Sequence, residues 1–234
     1  MKKVTFVAMA IMLGLSINLL ADENELTGDR KTACEVLLCL SSGERPSECN
    51  PPLRHFYSIK GKKPGDTLKK RRRFLELCPT DSGNTATNII MADYKGMLAS
   101  VNPDECKPEY LNNRLQDYKK IVEYKNLKGK TYKSEVTYVR INPNIPSHCP
   151  VLINHEYTDY KMPKYNCDGK YYEASAFNRG YELISITLQE YNQLQPNQRH
   201  HQRYTYSCGG ERERICTKDN YYKKITIPKT CWSY

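Results

Sequence analysis

After residue 20 the sequence has no apolar run that approaches the roughly 18 residues a membrane-spanning helix requires, so no transmembrane segment is expected in the mature chain. It has no Cys-x-x-Cys pair and no paired Cys/His knuckle, which argues against a structural zinc site. A phosphate-binding glycine loop is also missing, because Pro64 interrupts the one superficial candidate, residues 61–65. We therefore expect neither a metal nor a nucleotide cofactor.

The composition is basic and rich in cysteine. The 36 Lys and Arg residues outnumber the 26 Asp and Glu residues, and the formal net charge of +10 excludes a predominantly acidic chain. Hydrophobic residues make up only 39% of the sequence. Ten cysteines are too many for an ordinary reduced cytosolic protein, so we expect a disulfide-stapled secreted domain.

Residues 1–21 have the three parts of a secretory signal peptide. Lys2 and Lys3 provide positive charge, an apolar stretch follows, and Ala21 is a small residue at the expected cleavage site. An uncleaved anchor helix is the alternative, and the short apolar core argues against it. Because position 22 is Asp22 and not a cysteine, a lipid anchor is not expected. We expect the chain to be exported with its signal peptide cleaved.

The even number of cysteines predicts five disulfides, with bound zinc as the alternative. If the four cysteines before residue 102 pair among themselves, residues 102–195 and 196–234 have three cysteines each. At least one bridge must then join these two regions and fasten the C-terminal tail. The ten candidates are Cys34, Cys39, Cys49, Cys78, Cys106, Cys149, Cys167, Cys208, Cys216 and Cys231.

Spacing favours one pairing of the first four cysteines. Cys34 and Cys39 are five residues apart on a predicted helix, so about 7.5 Å of axial rise separates them and they should not bond to each other. Cys39 can reach Cys49 through the turn that follows the helix, which leaves Cys34 for Cys78.

The distribution of tyrosine and cysteine divides the mature chain into three regions. Only two of the 19 tyrosines, Tyr57 and Tyr94, precede residue 102. We predict a helical four-cysteine module at residues 22–101, a mixed α/β tyrosine-rich module at 102–195, and a cysteine-containing β-rich tail at 196–234. The expected fold class is mainly α with a small β element.

Apolar periodicity predicts most of the individual elements. The first module reads as short helices, and Ala33, Val36, Leu37 and Leu40 form one stripe on the first of them. In the middle module, Leu111, Leu115, Tyr118 and Val122 repeat at helical spacing, residues 131–141 read as a strand, and residues 174–194 read as the clearest helix. In the tail, short strands are predicted at 203–208, 214–218 and 221–227.

Cys149 is the sharpest candidate for catalytic chemistry, because His148 precedes it and His155 lies two helical turns from His148. A thiolate beside a histidine base could act as a nucleophile. However, an exported cysteine among nine others is far more often half of a disulfide. The two histidines could form a metal pair, but no third ligand is fixed by spacing. We therefore predict no catalytic and no metal-binding residues.

The strongest basic cluster is formed by Lys69, Lys70, Arg71, Arg72 and Arg73. It could bind phosphates, anionic lipid headgroups or acidic cell-wall polymers. Five consecutive positions wrap around a helix and cannot all face one ligand, so a solvated helix face is the alternative. The abundance of tyrosine suits a protein-binding surface, although tyrosine also fills small disulfide-rich cores. We treat the cluster as a possible contact surface.

Several segments of the chain resemble the TrbM/KikA/MpfK family. Together they cover about residues 25–195, and the N-terminal cysteine block is the most specific of them. The similar segments are residues 25–29, 33–43, 45–49, 53–59 and 74–79, the stretch from Cys149 to Thr158, and the predicted helix that ends near Leu194.

The resemblance implies a periplasmic protein of plasmid conjugation, accessory to mating-pair formation by a type IV secretion apparatus. It would bind a secretion-channel protein or the cell wall, and it brings no catalytic residues. Nucleic acid is not an expected partner. An exported peptidoglycan-directed hydrolase, suggested by the basic charge and the His155-Glu156 pair, is the alternative. The tyrosine-rich tail with Cys208, Cys216 and Cys231 departs from the family pattern.

Overall fold

The computed structural model describes residues 26–125, 129–209 and 214–234, so the expected signal peptide lies outside the described residues. None of the described helices is long and apolar enough to cross a membrane. The helices are α1 (Gly28–Ser41), α2 (Asn50–Ser58), α3 (Pro64–Glu76), α4 (Thr85–Ser100), α5 (Pro108–Leu111), α6 (His148–Ile153), α7 (Ala174–Arg179) and α8 (Leu188–Gln193), with short 3-10 turns at Ser47–Cys49, Pro103–Cys106 and Pro196–Gln198.

Eight strands form three antiparallel sheets in the described part of the chain. The strand orders are β1-β2-β4, β3-β8 and β5-β7-β6. The strands are β1 (Leu115–Lys125), β2 (Thr131–Ile141), β3 (Lys164–Tyr165), β4 (Tyr172–Glu173), β5 (Tyr181–Ile186), β6 (Arg199–Ser207), β7 (Ile215–Thr226) and β8 (Trp232–Ser233).

The first hydrophobic core lies among helices α1 to α4. The predicted stripe on α1 is buried, and it packs with Phe56 of α2, Leu75 of α3 and Leu98 of α4. Burying aliphatic and aromatic side chains stabilises the fold by about 1.5–3 kcal/mol for each. The core also takes in Leu152 of α6 and Tyr160, so it draws on residues far along the sequence.

Two disulfides staple this helical core. Cys34–Cys78 joins α1 to the turn that follows α3, and Cys39–Cys49 closes the loop between α1 and α2. Both are the pairs that the helical spacing favours. A third bridge, Cys106–Cys149, holds α6 against the 3-10 turn at Pro103–Cys106.

The second hydrophobic core forms where α7 and strand β2 meet the C-terminal residues. Val139, Phe177, Ile227 and Trp232 are buried in it. The Cys167–Cys231 disulfide fastens the tail beside this core, so a bridge does join the middle of the chain to its tail, as the cysteine count requires.

The expectation of a mainly α fold with a small β element is wrong. Of the described residues, 42% are helical and 27% lie in strands. The residues from Leu115 to Val122, which repeat at helical spacing, lie in β1, because all 11 residues of β1 pair with β2. Cross-strand pairing there overrides a short apolar repeat that cannot by itself distinguish a helix from a strand. The five disulfides of the expected secreted domain are present.

The single helix predicted at 174–194 is also wrong, because three elements replace it. Helix α7 ends at Gly180, whose φ of 86° lies in the left-handed region that favours glycine. Strand β5 follows, and its β-branched isoleucines favour an extended conformation. Thr187 then caps α8 through a capping box with Glu190.

In the tail, the two strands predicted at 214–218 and 221–227 are one strand, β7. Asp219 lies within it because residues 215–223 pair without a break with β6. Its carboxylate accepts hydrogen bonds from Arg203 on β6, at 2.8 and 3.1 Å. The strand predicted at 203–208 is the outer half of β6. The Cys208–Cys216 disulfide connects the ends of β6 and β7.

Candidate interaction surfaces

The basic cluster of α3 divides between the protein interior and its surface. Arg71 turns inward, where its guanidinium lies 5.3 Å from the Phe56 ring and donates a hydrogen bond of 3.2 Å to the Tyr57 carbonyl. Arg72 pairs with Glu76 at 3.1 Å. Arg71 is therefore lost from the predicted contact surface, and the charge of Arg72, which stays exposed, is balanced by Glu76.

The remaining three cations, Lys69, Lys70 and Arg73, are exposed and form no ion pair with a described residue. The Lys70 ammonium donates a hydrogen bond to the Lys60 carbonyl at 3.3 Å, which brings the loop before α3 alongside the helix. The exposed lysines of that loop, Lys60, Lys62 and Lys63, extend the positive charge. We call these six residues the basic face.

A buried polar network holds the loop between α1 and α2. The Arg45 guanidinium donates to the Tyr160 hydroxyl at 2.5 Å, and the Tyr160 hydroxyl donates to the Leu40 carbonyl at 3.1 Å. Burial raises the pKa of Tyr160 to about 12, and the hydrogen bond from Arg45 opposes that rise. An open cleft of about 610 Å³ lies beside Arg45, and its lining includes Asp104, Lys107 and Tyr234.

The residues considered for catalysis have structural partners. The Cys149 sulfur is bonded to Cys106 and is therefore not a thiolate nucleophile. His155 stacks on Tyr94 with ring centroids 4.7 Å apart, and its Nδ1 accepts a hydrogen bond of 3.2 Å from the Tyr157 amide. His148 lies 3.6 Å from a Glu105 carboxylate oxygen. The side chains of Cys106, His148 and Cys149 lie close enough together to be considered as metal ligands. The disulfide removes both of the cysteine sulfurs as ligands.

An apolar cleft of about 320 Å³ lies between α1 and α4. Leu37, Met91 and Tyr94 line it, and the Cys34–Cys78 disulfide forms another part of its wall. Leu38, which is 72% exposed, extends the apolar lining of the cleft to the protein surface. Exposed apolar surface of this kind is typical of a protein contact.

Four tyrosines lie on one face of the β1–β2 hairpin, and the apolar periodicity of the sequence did not reveal this tyrosine face. Tyr118 stacks on Tyr138 with centroids 5.2 Å apart, and Tyr124 stacks on Tyr132 at 5.5 Å. Both are directly opposed pairs in the antiparallel register. The other face of the hairpin carries two ion pairs, Lys119–Glu135 at 2.7 Å and Lys133–Glu123 at 3.0 Å.

A second tyrosine face lies on the three-stranded sheet. Tyr181 of β5, Tyr222 of β7, and Tyr204 and Tyr206 of β6 share one side of it by register. The abundance of tyrosine is the only sequence feature that indicates these two faces. The sequence does not show which tyrosines share a face, because that depends on how the strands pair. They are surfaces that sequence reasoning missed.

One family model matches the chain, and it does so over residues 25–192, which is more than half of the sequence. The matching model is described as TrbM. No curated protein matches the chain, and no solved structure does. The match includes the helical core and ends at α8, before strands β6 and β7. The chain therefore belongs to the TrbM family of proteins related to conjugal transfer.

Proposed function

We propose that this protein is an exported accessory component of plasmid conjugation, acting in mating-pair formation by a type IV secretion apparatus. The observation that carries the proposal is the TrbM match over residues 25–192. The expected signal peptide and the basic composition are consistent with a protein that works in the periplasm among anionic polymers.

The state of the cysteines supports export. All ten are paired in five disulfides, and no free cysteine remains in the described chain. Disulfides persist in the periplasm and are rare in the reducing cytosol. A helical core stapled by three bridges suits a protein that must stay folded after export.

We propose that the protein acts by binding and not by catalysis. The bridging of Cys149 and the packing of His155 against Tyr94 support this choice. The peptidoglycan-directed hydrolase is tested by zymography on cell-wall gels. A clearing zone that a point substitution abolishes would replace our proposal with the hydrolase, whereas a gel without clearing at high protein load agrees with binding.

The basic face and the apolar cleft are the proposed contacts for a secretion-channel protein. Both lie on the helical core, within the residues that the family model matches. The cleft offers an apolar anchor site, and the charges of the basic face would speed and orient association.

The test is a crosslinking pull-down from donor cells, with subunits of the secretion apparatus as the expected captured proteins. The variant Lys69→Gln/Lys70→Gln/Arg73→Gln should capture much less of them. A control with the same charge change, Lys120→Gln/Lys125→Gln/Lys164→Gln, should behave as the wild type. Capture of no secretion subunit by any form of the protein would overturn the proposed role.

A further inference from the structure

The tyrosine face of the three-stranded sheet combines aromatic rings with polar groups in a regular array. Tyr204 and Tyr206 lie two residues apart on β6, so their side chains are about 7 Å apart along the strand. The Asn220 amide donates a hydrogen bond of 3.3 Å to the Tyr222 hydroxyl. The other hydrogen-bonding side chains that the register places on this face are Ser185, His200, Gln202 and Thr226.

The charge on this face has one sign. Its cations are Lys218, which lies opposite Tyr204, and Lys224 and Arg179, whose charged groups lie 5.1 and 5.2 Å from the Tyr181 ring. Neither lysine forms an ion pair with a described residue. The acidic residues of these three strands, Glu182 and Asp219, fall on the opposite face by register. The face is thus complementary to a ligand that carries carboxylates.

The tyrosine face of the three-stranded sheet is accessible to a ligand, because it is not packed into either hydrophobic core. No residue of β5, β6 or β7 belongs to either hydrophobic core in the described chain. Tyr204 is 42% exposed and Tyr206 is 37% exposed. On the other face, α8 packs against the sheet through Tyr191, whose ring lies 5.0 Å from that of Tyr221. The exposed rings of Tyr204 and Tyr206 and the half-buried rings of Tyr222 and Tyr181 therefore form a platform about 30 Å long, measured along β7.

We infer that this platform binds an anionic glycan strand, the chemical class to which peptidoglycan belongs. The C–H faces of pyranose rings pack on tyrosine rings, and sugar hydroxyls bond to amide and hydroxyl side chains such as those of Asn220 and Gln202. Lys218 and Lys224 pair with carboxylates of the peptide stems. The inference rests on the proposed function, because export is what brings the platform to the cell wall.

The same surface chemistry could attract single-stranded nucleic acid, since that ligand also combines stacking with negative charge. The glycan is favoured because the neutral hydrogen-bonding side chains on this face, Ser185, Gln202, Asn220 and Thr226, outnumber its three cations. The pairing of all ten cysteines also points to a compartment where the cell wall, and not nucleic acid, is the abundant polymer.

The experiment is co-sedimentation of the purified mature protein, disulfides intact, with insoluble peptidoglycan sacculi. We expect the wild type to bind and Tyr204→Ala/Tyr206→Ala to lose roughly tenfold or more in affinity. The matched control is Thr205→Ala/Thr217→Ala, a directly opposed pair on the other face of the same two strands. It should bind as the wild type does. Circular dichroism and intact mass confirm that each variant is folded and oxidised.

Three outcomes would overturn the glycan site. The tyrosine variant and the threonine control could bind sacculi equally, or the wild type could fail to bind them at all. Alternatively, the wild type could bind an oligothymidine tighter than sacculi, which would assign the platform to nucleic acid. The variant Lys218→Gln/Lys224→Gln separates the contribution of charge from that of stacking. If this variant loses affinity for sacculi and the tyrosine variant does not, the platform is an unspecific polyanion site.

The sedimentation experiment and the pull-down test the glycan site and the conjugal role separately. If secretion subunits are captured but sacculi do not bind, the platform proposal fails and the accessory role stands. If sacculi bind through the tyrosines but no secretion subunit is captured, the accessory role fails and the glycan site stands.

Discussion

The disulfide between Cys167 and Cys231 ties the last strand of the chain to a loop of the family-matched region, across 64 residues of sequence. Asn112 reinforces the attachment, because its side-chain oxygen accepts hydrogen bonds from the amides of Cys231 and Trp232 at 2.7 and 2.8 Å. The Trp232 indole donates to the Asn142 carbonyl at 3.0 Å. The C-terminal end of the tail is thus fastened by a disulfide and by hydrogen bonds to Asn112 and Asn142.

Breaking this bridge should destabilise the protein. In the chain-entropy model, a loop of this length contributes roughly 4 kcal/mol, so Cys167→Ser/Cys231→Ser should lower the free energy of unfolding by about 2–5 kcal/mol. Trp232 is the single tryptophan and is buried, so its fluorescence in a urea titration measures the loss. The control Cys208→Ser/Cys216→Ser, with a separation of only 8 residues, should cost less. Equal losses would contradict this account of the tail.

The Arg45 side chain should be a major support of the helical core. Arg45→Ala removes the bond to Tyr160 and the contact of 3.7 Å with Asp104, and should cost about 2–3 kcal/mol. Arg45→Lys should not restore stability, because an ammonium cannot reproduce the fork of guanidinium donors. Denaturant unfolding measures both variants. Full rescue by lysine would show that charge alone matters at this position.

The buried tyrosines predict a loss of stability at high pH. Burial raises the pKa of Tyr57 and of Tyr160 to about 12, and it also raises the pKa of Tyr94. Because the pKa is higher in the folded state, the stabilisation is complete below the unfolded pKa of about 10 and is lost as pH rises through about 12. Tyrosinate absorbance should therefore show a late step that coincides with unfolding. Tyr160→Phe should reduce that step, and ionisation of every tyrosine near pH 10 would contradict the prediction.

Gly180 should resist substitution for a purely backbone reason. A Cβ at this position would meet no atom within 4 Å, yet the φ of 86° is one that other residues rarely adopt. We expect Gly180→Ala to cost about 1–2 kcal/mol in thermal or urea unfolding. Gly65→Ala in α3 is the control, because Gly65 has an ordinary φ and equally open space. It should be neutral or slightly stabilising, so an equal cost in both variants would refute the backbone explanation.

The sequence predicts the helical core well because its signals there are local. The stripe on α1 and the prolines at the start of α2 act within a turn or two of helix, and the spacing of Cys34 and Cys39 restricts their partners. The two corresponding disulfides follow from that restriction.

The β half is less predictable because its signals depend on residues far apart. Tyr118 and Val122 repeat as in a helix, and only pairing with β2 reveals a strand. The tyrosine platform needs the alignment of β5, β6 and β7, which no short segment encodes. Gly180 and Thr187 were visible signals for ending one helix and starting another, and the regular apolar stripe across residues 174–194 concealed them.

The central claim is that the protein supports conjugation from outside the cytoplasm, and transfer frequency tests it most directly. A donor strain that lacks the gene is complemented either with the full chain or with a chain that lacks residues 1–21. We expect deletion to lower plasmid transfer and only the full chain to restore it. Undiminished transfer after deletion, or full restoration by the chain without residues 1–21, would contradict the account.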